Sequence, residues 1–274
     1  MSLPIASVQL YSLAKEFSAD MRGSLDRLAA IGFANVEAFD FVSRPTEIRA
    51  ALDASGLSSP TGHAPLLSDE LWTPDGAIPT PAPEVVFAAA AEIGITTVIE
   101  PFVAPERWLT EDGVADIAER LNRAAELAAS FGLTVGYHNH AQEFVAVFDG
   151  QSAYERFVEL TDDRVELELD LFWAQAGGQD VPALAARLGS RLTAVHVKDG
   201  LVPAANPWAP GAEKFGSDSL DQRHAGTGEV PLAATLRAVT GIRHAIVEYD
   251  HAPGDVFDDV AASLAFLREG GFVA

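Results

Sequence analysis

Two histidines two residues apart, His138 and His140, stand in the stretch VGYHNHAQEF that runs from Val135 to Phe144. In a strand, alternate side chains share a face, so Gly136, His138 and His140 point one way and Tyr137 and Asn139 the other. Two imidazoles on one wall can hold a metal or carry a proton, or they can be one surface and one satisfied core histidine. Other apolar runs carry polar residues at the same parity. In VELELDLFW, Glu166, Glu168 and Asp170 alternate with Leu167, Leu169 and Leu171. In LTAVHVKDG, His196 and Lys198 alternate with Val195 and Val197. In HAIVEYDH, Ile246, Glu248 and Asp250 share one face and Val247 and Tyr249 the other. NVEAF adds Glu37, VIEPF adds Glu100, and His63 closes a further run.

Charges turned into a protein interior must be paired or must bind a metal. Lys198 alone does not balance Glu37, Glu168, Asp170 and Glu248, and a divalent cation would supply the missing charge. His138, Asp170, His196 and Glu248 come from four successive strands at equivalent depth. Such a mixed nitrogen and oxygen set suits Mn²⁺, Co²⁺, Zn²⁺ or Fe²⁺ rather than Ca²⁺. The competing reading is a salt-bridge network in which Lys198 and the histidines neutralise the acids.

The elements that position these residues follow a recurrent order. A helical stretch ends in a glycine and an apolar strand starts at once, at Gly32, Gly56, Gly94, Gly132, Gly189 and Gly241. Glycine just past a helix supplies the left-handed conformation that stops it. The order of helix, glycine and strand implies parallel strands joined by helices. Eight strands are expected, near Ile5–Tyr11, Asn35–Phe39, Ser58–His63, Thr97–Phe102, Thr134–His140, Val165–Leu171, Leu192–Lys198 and His244–Tyr249. Helices are expected over Glu111–Phe131, with Val114, Ile117, Leu121 and Leu127 on its apolar face, and over Asp255–Glu269. Eight such units in 274 residues fit a single (β/α)8 TIM barrel spanning residues 1–274. A doubly wound sheet is the alternative, weakened for nucleotide binding because no GxGxxG follows the first strand. Two long loops, 64–83 and 200–229, leave the C-terminal ends of strands, where barrels of this kind build their sites. They suit a substrate cover or an oligomer contact.

Composition limits the partners. Eighteen basic residues against 40 acidic give a formal charge of -22, which repels phosphate backbones and anionic lipid. No nucleic acid or membrane partner is expected. Cysteine is absent, so disulfides, thiolate metal sites and cysteine nucleophiles are ruled out. The N-terminal residues lack a basic segment followed by a long apolar run, and no stretch approaches a membrane span. A cytoplasmic protein is the expectation.

Six segments together, VQLYSL, YHNHAQEF, ELDLFWAQAGGQD, RLTAVHVKDG, AGTGEVPL and IVEYD, resemble the xylose isomerase-like barrel superfamily, specifically its sugar phosphate isomerase/epimerase group. The resemblance runs nearly end to end and is most specific in DLFWAQAGG followed by VHVKD. It implies one divalent metal held by Glu, Asp, His and Glu at the ends of strands five to eight. It carries the last three onto Asp170, His196 and Glu248. The strand-five position falls on His138, where many relatives have Glu, and this removes one carboxylate of the epimerase-type pair of bases. In the keto-glycoside branch a histidine two residues beyond that ligand looks like the base, and its match is His140. The resemblance thus gives one imidazole to the metal and the other to the proton. Glu143, just beyond, would bind substrate hydroxyls or orient His140.

The implied reaction is proton abstraction α to a carbonyl through a metal-bound enediolate, with His140 or Glu248 as base. The expected substrate is a small keto-sugar or cyclitol without phosphate, since arginine is sparse in the strand-end loops. Isomerisation or epimerisation is the first expectation. A dehydratase or lyase, of the inosose dehydratase or 3-keto-glycoside-eliminating kind, shares the same first step. Lys198 is expected to stabilise an oxyanion or to pair with Glu168, while Trp173, His63 and Glu100 are expected to line the substrate pocket. An apurinic-site endonuclease would need more histidines and a basic face. A metal-free sugar-binding barrel is the non-catalytic alternative. A homo-oligomer or a subunit of a hetero-oligomeric lyase is compatible with the chain.

Overall fold

The computed structural model describes residues 3–73, 76–212, 216–252 and 254–274. Eight parallel strands form one sheet: β1 (Ile5–Val8), β2 (Asn35–Ala38), β3 (Ser58–His63), β4 (Thr97–Glu100), β5 (Thr134–His138), β6 (Val165–Asp170), β7 (Leu192–Val197) and β8 (His244–Val247). Each pairs with its sequence neighbour from β2 to β8, and β1 pairs with β8. A single parallel bridge between Gln9 and Glu37 joins β1 to β2 and closes the ring. The fold is therefore a (β/α)8 barrel, as the glycine-punctuated order implies. Seven of the strands end one to three residues earlier than expected, while β3 ends at His63 as expected; beyond β1, β4, β5 and β8, side chains accept the N–H groups of Tyr11, Phe102, His140 and Tyr249.

All six predicted glycines adopt positive φ. At Gly32, φ is +112°, and its N–H bonds back to Leu28 and Ala29, stopping the helix Met21–Ile31 before β2. The long helix spans Glu111–Ser130, capped by the Thr110 hydroxyl, and buries Val114, Ile117 and Leu121 with Leu127 half-buried beside them. The last helix is Val256–Glu269. Outward strand residues such as Leu167, Leu169, Val195 and Val247 join the core between sheet and helices. Among the described residues, no helix is long and apolar enough to cross a membrane.

The two long loops carry structure of their own. Segment 64–83 contains an antiparallel hairpin, Glu70–Thr73 with Gly76–Pro79. Segment 200–229 begins in the short strand Asp199–Leu201, which returns against Asp221–Arg223. The buried Asp199 carboxylate accepts four backbone N–H bonds, from Gly200, Gly226, Gly228 and Val230, at 2.9 to 3.1 Å. A Cβ on Gly228 would lie 2.2 Å from Asp199 Oδ1 and 2.3 Å from the Gly200 nitrogen. The AGTGEV motif is thus a wrapping of backbone around one carboxylate. Farther along the loop, Asn206 donates to the Ala141 carbonyl at 2.7 Å and accepts from the Trp208 N–H at 2.9 Å. That seats Trp208 over the end of β5, so the loop covers the barrel mouth.

Candidate active site

The inward residues at the C-terminal strand ends converge. Glu37, Glu168, Asp170 and His196 are fully buried, His138 and Lys198 are 2% and 1% exposed, and Glu248 is 6% exposed. Equivalent depth does not describe them well. The register partner of His138 is Glu168, and that of His196 is Ile246. The strands are tilted and staggered, as barrel closure requires, so residues two apart in register reach one level. One candidate ligand atom from each of His138, Asp170, His196 and Glu248 lies within 4.8 Å of every other. A second grouping, His63, His138, Glu168 and His196, meets the same limit.

The hydrogen bonds separate the two groupings. Glu168 Oε1 already lies 2.7 Å from His63 Nε2, 3.1 Å from His138 Nδ1 and 3.0 Å from His196 Nε2. An ion in that grouping would have to break all three of these bonds, against the one between His196 Nδ1 and Glu248 Oε2 in the other. In the other, each imidazole has one nitrogen held by a carboxylate and the other turned to the set. His138 Nδ1 meets Glu168, and its Nε2 is 4.0 Å from Asp170 Oδ2. His196 Nε2 is 2.8 Å from Glu37 Oε1, and its Nδ1 is 2.9 Å from Glu248 Oε2. Metal-binding histidines characteristically hold a carboxylate or carbonyl with their second nitrogen in this way. Gln9 fixes Glu37 from behind at 2.8 Å. Asp170 divides its two oxygens: Oδ1 accepts the Trp173 N–H at 2.7 Å and caps the helix Leu171–Ala176, while buried Oδ2 accepts no hydrogen bond. Asn139 ties β5 to β6 by accepting the Asp170 N–H at 3.0 Å. The set fits a divalent ion, with an orphaned buried carboxylate oxygen and two imidazole nitrogens around it.

Charge is unevenly distributed across the cluster. Burial pulls the His63 imidazole down, but the Glu37 and Glu168 carboxylates outweigh it and hold His63 at about 10. The same contest, with Glu168, Glu248 and Glu37 against burial, holds His196 protonated well above its ordinary value. Burial and the neighbouring Glu37 would raise Glu168, yet His196 and His63 bring it down to about 2. Burial, then the Lys198 ammonium, draws His140 down to about 3, so its imidazole is neutral. Burial lifts Asp170 to about 6 against the pull of Lys198.

Above the cluster lies a cavity of about 370 Å³. His63, His138, His140, Glu248 and Asp250 contribute polar groups to it, and Trp173, Trp208, Phe102, Tyr11 and Phe39 give it aromatic walls. The His138 and His140 rings are 5.2 Å apart. The rings of Phe102, Trp173 and Trp208 each stand 5.4 to 5.6 Å from His140. His140 Nδ1 is buried without a hydrogen-bond partner, which leaves Nε2 to face the cavity.

Two expectations, for Glu100 and Lys198, need correction, and that for Glu143 narrows to its second alternative, orienting His140. Glu100 does not line the cavity. Its oxygens accept the N–H groups of Leu66, Leu67 and Phe102 at 2.6, 2.8 and 3.1 Å, so it staples the loop after β3 to the loop after β4. Glu143 does not reach the cavity either. It is fully buried behind His140, accepting the Tyr137 hydroxyl at 2.7 Å and the His140 backbone N–H at 3.0 Å. It positions His140 through the backbone and has no oxygen left for substrate. Lys198 pairs with Asp170, Glu248 and Asp250 instead of Glu168. Glu166, of the same parity as Asp170, lies at the opposite end of the barrel, where it accepts from the Thr193 hydroxyl at 3.0 Å and pairs with Arg243. Sequence reasoning missed Trp208, Phe102 and Tyr11. Trp208 had a usable signal, since it is a tryptophan in a long strand-end insertion.

The family model described as xylose isomerase-like TIM barrel matches residues 25–270, and the chain belongs to that family. Inosose dehydratase from Geobacillus kaustophilus (strain HTA426) is 32% identical over 118 residues, a match that takes in 41% of this chain and 37% of that protein. The crystal structure of a sugar phosphate isomerase/epimerase from Parabacteroides distasonis ATCC 8503 superposes with a TM-score of 0.77 at 22% identity, covering 100% of this chain and 96% of that one. A structure of the IolI protein with a zinc atom bound gives a TM-score of 0.70 at 14% identity, with 97% of each chain covered.

Proposed function

We propose that this member of the xylose isomerase-like barrels is a divalent-metal-dependent enzyme that moves the proton α to the carbonyl of a small unphosphorylated keto-sugar or cyclitol. The observation that carries the reading is the shared cavity. A neutral His140 imidazole, free of hydrogen bonds to the protein, opens onto the same space as His138 and Glu248, whose ligand atoms lie within 4.8 Å of those of Asp170 and His196 just beneath. His138, Asp170, His196 and Glu248 would hold the ion, and a zinc atom bound in the IolI neighbour supports metal binding by a barrel of this kind. When bound, the ion acts as a Lewis acid toward the substrate carbonyl and acidifies the adjacent C–H.

The chain's own groups do the rest. His140 Nε2 takes the proton, and Glu143 and Tyr137 hold the backbone that presents it. Glu248 carries the second titratable group that faces the substrate. Trp173, Trp208 and Phe102 exclude water and offer flat faces to a sugar ring. Among the described residues, the cavity wall includes no arginine, and its acidic floor disfavours a phosphorylated or carboxylated substrate. Return of the proton to the neighbouring carbon gives isomerisation, and return from the other face gives epimerisation. A dehydratase is the second reading, favoured by the likeness to inosose dehydratase. It keeps the same proton abstraction and then expels a β-hydroxyl.

The test begins with metal content, measured on tag-free wild type and on Asp170→Asn. About one Mn, Co, Zn or Fe per chain, lost in the variant, is expected. Keto-sugars and cyclitols are then screened in D₂O for metal-dependent deuterium uptake that His140→Ala abolishes. Absence of metal in both proteins, even after incubation with Mn²⁺, would sink the mechanism and favour a metal-free sugar-binding barrel.

A further inference from the structure

A cation already stands among the carboxylates of the proposed metal set. Lys198 Nζ lies 3.2 Å from Asp170 Oδ2, 2.7 Å from Glu248 Oε2 and 2.8 Å from Asp250 Oδ2. The contacts differ in kind. Asp250 accepts a directed hydrogen bond from Nζ, whereas Asp170 Oδ2 accepts none and is held by charge alone. Lys198 is 1% exposed, so its ammonium has no water to fall back on. A divalent ion entering between the same two oxygens would meet that ammonium within a few ångströms, in an interior that screens charge poorly.

We propose that Lys198 is the resident counter-cation of this site. It offsets part of the charge of Asp170 and Glu248 while no divalent ion holds them, and it retreats to Asp250 alone when one enters. The proposal rests on the reading of His138, Asp170, His196 and Glu248 as the metal set. Asp250 is built to remain in place during the exchange. Its backbone N–H and that of His251 both donate to Gln222 Oε1, at 2.7 and 2.8 Å, which fixes Asp250 while the lysine side chain moves. Two consequences follow. Each carboxylate of the set has a cationic neighbour before metal arrives, so the fold does not depend on the ion. Metal affinity is that of a cation exchange and is therefore weaker than the same donors would give without the lysine.

The test compares wild type with Lys198→Met, both stripped with chelator and titrated with Mn²⁺ against a fluorescent competitor. Mn²⁺ binding at least tenfold tighter is expected in the variant. Its metal-free form should melt below metal-free wild type, and its Tm should rise more on adding Mn²⁺. Equal affinities would overturn the counter-cation while leaving the metal set standing. Binding by neither protein would overturn both, and binding by the variant alone would support the exchange. If Lys198→Met does not fold, a crystal structure of Mn²⁺-loaded wild type decides. Nζ should keep its bond to Asp250 and lie beyond the ~4 Å ion-pair limit from Asp170 Oδ2. An unmoved Nζ would overturn the proposal.

Discussion

Replacing Glu143 separates a positioning carboxylate from a reacting one. Glu143 has no exposure, and its oxygens take the Tyr137 hydroxyl at 2.7 Å and the His140 N–H at 3.0 Å. In Glu143→Ala both donors lose their partner in a space closed to water. Each unsatisfied buried group costs about 1–3 kcal/mol, so the variant should lose ~2–6 kcal/mol, with the void adding to it. That is a large share of the ~5–15 kcal/mol that holds a typical domain together. Glu143→Gln behaves differently. Its amide oxygen still accepts the backbone N–H and its NH₂ can donate to the Tyr137 oxygen. Burial already lifts the Glu143 carboxyl to about 7, so removing the charge relieves a desolvation penalty. A change of no more than ~1–2 kcal/mol is expected. Urea unfolding at pH 7 measures both variants, and deuterium uptake by the substrate measures the function. Glu143→Ala within about 1 kcal/mol of wild type would refute the bonding argument, since it falls below the cost of one orphaned donor. Glu143→Gln that is fully stable yet inert in exchange would refute the positioning role and return Glu143 to the reacting atoms.

The pH dependence of the metal-stripped protein follows from His63 and Glu168. His63 is held at about 10 in the fold against ~6.5 unfolded, so its stabilisation is complete below ~6.5 and is lost as pH rises toward 10. Its ceiling is ~4–5 kcal/mol. Glu168 is held at about 2 against its ordinary value of 4.5, so its contribution is present above 4.5 and is lost as pH falls toward 2. Tm should therefore decline from pH 7 to 10, and a Tm that stays flat or rises over that span would contradict the assignment. Asp199→Ala should orphan the N–H groups of Gly200, Gly226, Gly228 and Val230 together, at about 1–3 kcal/mol for each one that water does not reach. Gly228→Ala, whose Cβ meets Asp199 and Gly200, should loosen the same turn. Limited proteolysis within 200–229 should accelerate in both, and unchanged cleavage would show that the turn does not depend on that carboxylate.

Much of this protein was legible along the chain because backbone geometry fixes the period. Alternation in a strand placed His138, His196, Lys198 and Glu248 on the inner wall without knowledge of any contact, and left-handed glycines marked where helices stop. The eight-fold order of those elements implied the barrel. Asp170 is the clearest case, since strand parity predicted it inward and inward it lies. Tertiary structure decided what parity cannot express. The tilt of the strands brought His138 level with Glu168 and still within reach of Asp170. A loop folding back gave Glu100 three backbone donors and took it out of the pocket. Burial behind His140 turned Glu143 into a support. The return of segment 200–229 delivered Trp208 to the cavity and seated Asp199 in its glycine turn. Lys198 shares its face with several carboxylates, and only the stagger between β6, β7 and β8 chose Asp170, Glu248 and Asp250 over Glu168. A sequence states which face a side chain takes, because that depends on its own backbone; which partner it meets depends on the relative height of separate strands, and that is set only when the barrel closes.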